Sequence, residues 1–534
     1  MSQTTPLESF INHKADTGMQ CGNYSIDLPE LKEDEQYRFH FDATKCIGCR
    51  CCEVACNEQN NNPADIKWRR VGEMEGGEFG SVSTLFNSMS CNHCVDPACL
   101  IGCPTNSYIK FDNGIVFHDD PSCIGCSYCT WNCPYSVPTF HEERSIVTKC
   151  HMCHERLAED QSPACVQACP SGAIEIEAVN IKEWLDKDID TQGNIEGVVD
   201  ARVTNSTTRY TLPDNLADNL TAMDDHHLKQ AHSEWPLVFM TVLTQISLGA
   251  FLALFLGEIL FITGLSSIEP SLFLALTALV PAAVGLPLSA LHLGRPIKAL
   301  SAFKNIKTSW LSREGLALAL YAGLLTAVAA MFFFELPKTL RLITETLVLA
   351  LGIFGIYAQA MIYRIFARPS WNRNVTNMKF FGVSYIGFYL LALVLLFMDA
   401  SHDVSTLITA GLLLSLAQLF FSFEDHKQVQ VNNYFKDDVS IKSLAKTARL
   451  YEKFSNIKFI RFAQLIISSI ILPLFVLLTL NQSHELSLYI MLFVVLASFY
   501  SELSDRWLFY VTTVPLSMPG GFFIGDARNM HKEH

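Results

Sequence analysis

Sixteen of the chain's 18 cysteines fall into four runs whose spacing suits iron–sulfur chemistry. The first is Cys46-x2-Cys49-x2-Cys52-x3-Cys56 and the second Cys91-x2-Cys94-x4-Cys99-x3-Cys103-Pro104. The third is Cys123-x2-Cys126-x2-Cys129-x3-Cys133-Pro134 and the fourth Cys150-x2-Cys153-x11-Cys165-x3-Cys169-Pro170. Thiolates two residues apart on a tight loop can hold three iron corners of one cubane. The fourth cysteine, opening the next turn before a proline, then points to a neighbouring cluster. The first and third runs keep the bacterial ferredoxin intervals throughout. The second and fourth stretch one interval but keep the first pair and the C-x3-C-P ending. Structural zinc also uses C-x2-C pairs, yet it leaves cysteines at i, i+3 and i+6 unexplained in two separate runs. Sixteen thiolates complete four 4Fe-4S clusters, and four clusters in one small domain make a path for single electrons. Two cysteines remain. Cys51 competes with Cys52 but breaks the spacing, and Cys21 lies outside every run. The first run also lacks its proline, since Asn57 follows Cys56.

The elements that must position these thiols occupy one end of a divided chain. All 18 cysteines lie between Cys21 and Cys169, and the remaining 365 residues contain none. Residues 1–232 carry 17 Lys/Arg against 35 Asp/Glu, whereas residues 233–534 carry 22 against 18. Half of the residues are hydrophobic, 17% are charged, and the mean hydropathy is +0.23. These values exclude a disordered, fibrous or ordinary soluble protein and point to membrane insertion. Nucleic acid is not expected as a partner. The N-terminus shows no basic segment leading into an apolar one and no twin arginine, so no export signal is expected. In a reducing cytosol, clustered cysteines bind metal rather than form disulfides.

Residues 1–40 read as a polar N-terminal extension, 41–180 as the cluster domain, and 181–232 as an acidic linker with little core of its own. Residues 233–523 form a membrane domain, and 524–534 a C-terminal tail. Within the cluster domain, Asp112-Asn113-Gly114 predicts a hairpin turn, with Ile109 and Phe111 alternating before it and Ile115 and Phe117 after it. Eight apolar runs follow, near 236–262, 270–291, 315–336, 342–363, 380–398, 404–423, 459–480 and 487–509. Each is long enough to cross a hydrocarbon core of roughly 30 Å. Eight spans put both termini on one side. The loops of that side hold five, four and seven Lys/Arg, and the opposite loops hold only Lys338 and Arg341. Sixteen against two places the cysteine domain on the cytoplasmic face of the inner membrane. The same basic loops could also dock the acidic N-terminal half, and both effects can act together.

Residues 41–180 resemble the four-cluster iron–sulfur subunit of the molybdopterin oxidoreductase complexes. The 11-residue gap of the fourth run and the stretch Cys123-Ile-Gly-Cys126-Ser-Tyr-Cys129 look most like the dimethyl sulfoxide reductase branch. Cys126 argues against the nitrate reductase variant that carries Trp in the third run. Residues 234–523 resemble the membrane anchor subunit of the same reductase. The carrying stretches are Glu234-Trp-Pro-Leu-Val238, His292-Leu-Gly-Arg-Pro296 and Ser309-Trp-Leu-Ser-Arg-Glu314. The protein therefore looks like a fusion of both subunits. The expected fold is an α+β double ferredoxin-like iron–sulfur domain followed by an all-α eight-helix transmembrane domain. The resemblance implies that each fourth cysteine crosses to a partner run, the first with the fourth and the second with the third. The implied ligand sets are Cys46, Cys49, Cys52 and Cys169; Cys150, Cys153, Cys165 and Cys56; Cys91, Cys94, Cys99 and Cys133; and Cys123, Cys126, Cys129 and Cys103.

Electrons must enter from the membrane half. Haem would need histidines directed inward from the helices. His292 follows the second apolar run and His426 the sixth, while His402 and His484 lie in opposite-side loops, so no haem is expected. A quinol needs proton acceptors near the interface. His292 and Glu314 can accept protons, and Lys298 can stabilise a quinol anion; the resemblance implicates the matching positions in menaquinol binding. The plainer alternatives are a helix-capping His292 and a helix-start charge at Glu314. Glu258, deep in the first run, is a further candidate because an unpaired buried carboxylate is costly. Arg506 with Glu502 and Asp505 reads as a structural ion-pair cluster, and His426 as a loop residue.

The expected protein is an electron-transfer and anchor subunit that oxidises menaquinol from the quinol pool of the lipid bilayer. It would pass electrons to a separate molybdopterin-containing catalytic subunit reducing dimethyl sulfoxide or a similar S- or N-oxide, with no terminal catalytic site on this chain. The alternatives are the same wire in a polysulfide or thiosulfate reductase, or run backwards in a quinone-reducing dehydrogenase complex. Of other classes are an ion-translocating membrane protein with a redox domain and a non-redox zinc scaffold.

Overall fold

A computed structural model describes residues 28–266, 269–399, 404–430, 435–480, 482–523 and 525; Cys21 and His402 lie outside the described residues. The protein divides into two units, Met1–Lys229 with Pro515–Ile524, and Gln230–Val514 with Gly525–His534.

The first unit is a small α+β fold. Its strands are β1 (Glu35–Asp42), β2 (Arg70–Glu78), β3 (Ser81–Met89), β4 (Tyr108–Lys110), β5 (Val116–His118), β6 (Thr139–His141), β7 (Ile146–Thr148), β8 (Ile174–Asn180), β9 (Arg209–Thr211) and β10 (Thr221–Ala222). β1 pairs antiparallel with β8 and parallel with β9, and β2 lies between β3 and β10. Alternation in β1 buries Phe39 and Phe41. β4 and β5 form the hairpin expected at Asp112-Asn113-Gly114, and Gly114 takes the positive φ of 84° that the turn requires.

Between the strands, short helices hold the cysteine runs. Pro104 and Pro134 disfavour helical backbone at Cys103 and Cys133, which are extended, so the helices Ala98–Gly102 and Tyr128–Asn132 stop there. The first run has no such stop. With Asn57 in place of proline, its helix continues from Cys51 through Cys56 to Asn60.

Residues 181–232 differ from the expected linker. Trp184, Ile189, Ala201 and Leu220 are buried, β9 and β10 complete the two sheets, and the Trp184 indole donates to the Ser206 carbonyl at 2.9 Å. Composition hid this because the segment's core is made by pairing with distant strands. β1 likewise begins inside the expected polar extension. Residues 515–524, expected with the membrane helices, belong to the first unit, where the Leu516 carbonyl accepts from Ser136 Oγ at 2.9 Å.

The second unit holds eight helices long and apolar enough to cross a membrane: Trp235–Ile262, Leu272–His292, Trp310–Phe333, Lys338–Tyr363, Asn374–Phe397, Val404–Val429, Ser455–Thr479 and His484–Val511. They coincide with the eight apolar runs apart from a few residues at their ends. The first is 83% buried against 33–61% for the others, so it forms the centre of this bundle. It meets the fifth through small residues: a Cβ on Gly249 would lie 2.0 Å from the Ser384 carbonyl oxygen, and one on Gly387 2.1 Å from the Ala250 nitrogen. The seventh span contains a π-helical turn, Ile467–Ile471, where the Ser469 carbonyl accepts from Tyr389 at 2.7 Å and Ser415 at 2.8 Å.

His426 is not a loop residue. The sixth helix continues past its apolar run, and His426 sits near its end, 3.4 Å from Lys458 Nζ. Asp425 helps to hold this extension by pairing with Arg373 and, at 2.8 Å, with Lys379.

Candidate functional site

The four cysteine runs repeat one backbone device. Two residues after the first cysteine the backbone turns left-handed, at Gly48, His93, Gly125 and Met152, with φ of 68°, 42°, 68° and 59°. This conformation points successive N–H groups inward, a cradle for an anion. Gly125 N lies 3.4 Å from Cys123 Sγ, and Met152 N 3.4 Å from Cys150 Sγ. A second left-handed residue follows the later cysteine of three runs, at Asn106, Ser136 and Gly172. Beside these, Ser107 N and Ala173 N donate to Cys103 Sγ and Cys169 Sγ at 3.3 and 3.2 Å.

Thiols from partner runs converge. Cys91, Cys94, Cys99 and Cys133 line one cavity of about 380 Å³, and Cys56, Cys150, Cys153 and Cys165 line another of about 250 Å³. Cys169 is an electrostatic neighbour of Cys46 and Cys52, and Cys46 of Cys49. Cys103 is likewise a neighbour of Cys126 and Cys129, which also sense Cys123. All 17 described cysteines are free of disulfides; Cys51 is exposed beside Cys49. Burial pushes the Cys52 and Cys133 thiols up to about 11, and those of Cys126 and Cys153 up to about 12. Thiolates there require metal or buried positive charge. Four thiols around each enclosed space, with N–H groups directed at sulfur, are a donor set that fits an iron–sulfur cubane.

Sequence reasoning missed the buried polar residues that serve these thiols. Arg69 is 2% exposed and bonds the Ser88 carbonyl at 3.1 Å and Ser90 Oγ at 2.9 Å. Burial opposes its charge, but Cys165, Cys52, Cys150 and Cys56 outweigh that and raise its pKa. Lys149 is equally buried, donating to the Val116 and Cys150 carbonyls, and it acts on Cys91 and Cys99. His93 is held neutral by burial and by Lys149. Thr204, from the stretch expected as a linker, donates to Cys94 Sγ at 3.1 Å. The available signal was two adjacent arginines, Arg69 and Arg70, in an acidic half, together with a lysine next to Cys150. Arg69→Gln should leave thiolates of two sets without their shared cation. We expect destabilisation of about 3–5 kcal/mol and more negative cluster potentials, checked by thermal melting and redox-poised EPR.

In the second unit, the expected residues have different surroundings. Glu314 is buried near the start of the third span, and its Oε1 accepts from Gln359 Nε2 at 3.1 Å. Gln359 Oε1 accepts from Gln245 at 2.8 Å, and Gln245 Oε1 from Arg506 at 3.2 Å. The Arg506 guanidinium stands 3.6 Å above the Phe380 ring. The tyrosine hydroxyls of Tyr363 and Tyr510 bond each other close by, both sensing Glu314. His292 is half-buried at the end of the second span, with Nδ1 2.7 Å from the Ser289 carbonyl. Lys298 is exposed on the 3-10 segment Pro296–Phe303. That segment is tied to the third span, since Ser312 Oγ donates to the Ala302 carbonyl at 2.5 Å. Ile297 and Leu300 on it are 99% and 79% exposed, an apolar surface suited to the bilayer interface.

The ion-pair cluster expected around Arg506 is built differently. Asp505 pairs with Lys379 at 2.9 Å and Arg461 at 3.1 Å, while Glu502 accepts from Gln418 at 3.1 Å. Arg506 instead reaches Gln245 and so joins the hydrogen-bond path that ends on Glu314. Glu258 is fully buried and pairs with Arg341 at 2.6 Å.

Fold and site together define a multi-pass membrane protein that carries an iron–sulfur electron-transfer domain. Residues 228–511, more than half of the protein, match the family described as DMSO reductase anchor subunit (DmsC), and residues 82–179 match the 4Fe-4S dicluster domain. The sequence is 37% identical over 153 residues to the B subunit of the Escherichia coli anaerobic dimethyl sulfoxide reductase, covering 27% of this protein and 75% of that one. It is also 37% identical over 155 residues to the corresponding Haemophilus influenzae subunit, covering 27% and 76%. To the iron–sulfur subunit of the E. coli nitrate-inducible formate dehydrogenase it is 39% identical over 150 residues, covering 25% and 51%. The protein belongs to the dimethyl sulfoxide reductase family, with iron–sulfur and anchor subunits joined in one polypeptide.

Proposed function

We propose that the protein oxidises a quinol of the menaquinol type and delivers its electrons through four 4Fe-4S clusters to a separate molybdopterin-containing subunit. That subunit would reduce dimethyl sulfoxide or a similar S- or N-oxide. The observation that carries this reading is the convergence of sixteen thiols in four crossed sets. The sets are Cys46, Cys49, Cys52 and Cys169; Cys150, Cys153, Cys165 and Cys56; Cys91, Cys94, Cys99 and Cys133; and Cys123, Cys126, Cys129 and Cys103. Bound there, the clusters supply one-electron carriers.

The protein's own residues handle protons and position. Quinol oxidation releases protons along with electrons, and Glu314 is the buried acceptor, its carboxylate oriented by Gln359. The Ser289 carbonyl can only accept, so His292 Nδ1 carries hydrogen and Nε2 is left as the base. Lys298 supports a quinol anion at the interface. The exposed apolar surface of Ile297 and Leu300 gives a lipid-soluble substrate its approach. On the first unit, Ile47 and Val54 are 64% and 60% exposed beside the exposed Cys49, an apolar surface that fits a protein partner.

The test reconstitutes the full-length protein, adds a menaquinol analogue and follows the clusters by EPR. Reduction of about four clusters per polypeptide is expected; fewer than about three, or clusters that stay oxidised, sinks the proposal. Similarity to the formate dehydrogenase subunit supports a second reading, the same path running from a dehydrogenase to quinone. The large subunit that co-purifies decides between them. The excess of sixteen over two basic loop residues supports a cytoplasmic cluster domain. Protease added to oriented vesicles should then cleave that domain only from the cytoplasmic face, and cleavage from the other face would reverse the assignment.

A further inference from the structure

A cavity of about 890 Å³ lies among the first, second, fifth and sixth spans, towards the end of the first span remote from Trp235. Its wall includes Leu254, Leu274, Phe388, Leu395 and Leu407, and among the described wall residues it carries one carboxylate, Glu258. Glu258 is fully buried. Arg341 holds its Oε1 at 2.6 Å, and Oε2 has no hydrogen-bond donor among the described residues. Glu345, 1% exposed, shares the same guanidinium through a 3.5 Å ion contact, and neither of its oxygens has a hydrogen-bond donor among the described residues. One guanidinium thus serves two buried carboxylates. A proton shared between them would satisfy one contact and still leave an acceptor unfilled.

We infer that this cavity is a second amphiphile site, which holds a quinol-class ring hydroxyl against Glu258 and takes no part in electron transfer. The apolar wall suits a lipid-soluble body, and Phe388 offers a ring face. A phenolic hydroxyl supplies the missing donor as a charge-assisted bond. A phospholipid headgroup fits less well, because no basic side chain is among the described wall residues and Arg341 is already engaged by two carboxylates. The choice of a quinol over other hydroxyl-bearing lipids rests on the proposed use of quinol by this protein.

The test uses the full-length protein in nanodiscs of phosphatidylglycerol and phosphatidylcholine, with a diazirine-bearing alkyl naphthol as probe and mass spectrometry of the crosslinked peptides. Crosslinks to residues 253–265, 388–398 and 404–410 are expected. Methylating the probe hydroxyl, or the substitution Glu258→Gln, should lower their yield roughly tenfold or more. Ala410→Phe fills the cavity without touching a carboxylate and should abolish them, which keeps the test decisive if Glu258→Gln fails to fold. Equal labelling by the methyl ether, displacement by an aliphatic alcohol as effective as displacement by naphthol, or a phospholipid retained in the cavity would each overturn the inference. Absence of these crosslinks in protein whose clusters quinol still reduces removes the second site alone. Crosslinks present in protein whose clusters quinol cannot reduce leave it standing and remove the electron-entry reading.

Discussion

Cys133→Ser is expected to disable the cluster site formed with Cys91, Cys94 and Cys99, while the rest of its own run keeps a full set of four thiols. Cys133 shares the cavity of the second run, and the third run's remaining Cys123, Cys126 and Cys129 neighbour Cys103. A serine hydroxyl is a poor ligand beside three thiolates. EPR of the variant should lose one of four signals or show it converted to a three-iron form. Electron delivery should fall almost to nothing, because a path in series carries no more than its weakest link. The complementary change, Cys103→Ser, should damage the other cluster of the pair. If Cys133→Ser instead removed the signal that depends on Cys123, Cys126 and Cys129, the crossed assignment would be wrong.

Glu314→Gln should lower quinol-driven turnover by roughly 10²–10⁴-fold, the range for loss of a positioned proton acceptor. The amide has nearly the same shape and can still bond Gln359, so the path from Glu314 through Gln359 and Gln245 to Arg506 should persist. Cluster content and reduction by dithionite should therefore match the unsubstituted protein, which separates lost proton transfer from lost structure. Gln359→Leu, which leaves the carboxylate but removes its positioning bond, should produce a smaller fall and a shifted pH profile. Turnover unchanged by Glu314→Gln would return Glu314 to the role of a helix-start charge.

Much of this was legible in one dimension because it depends on local spacing. Cysteines at i, i+3 and i+6 share a loop whatever surrounds them. The proline after Cys103 and Cys133 sets the backbone of the residue before it, and the lack of one after Cys56 let a helix continue. Apolar runs near twenty residues long become spans because a bilayer demands internal hydrogen bonding over that length. Glu314 and His292 could be named as proton acceptors, but their surroundings could not. Gln359 stands 45 residues from Glu314, Gln245 a further 114 from Gln359, and Arg506 is 261 from Gln245. Separations of that size leave no periodic signal of the meeting. The same kind of distance concealed Thr204 at Cys94, and it made residues 181–232 look like a linker.

By itself, then, the sequence determined the cluster-binding runs, the eight spans and the division of charge between the halves, all of which follow from near-neighbour chemistry. Only the tertiary structure decided which run completes which thiol set, that Arg69 and Lys149 stand among the thiols, and that Arg506 reaches towards Glu314 and leaves Asp505 to Lys379 and Arg461. Those outcomes turn on burial. A cation or carboxylate removed from water must find a partner wherever packing brings one, and packing joins residues that the sequence keeps far apart.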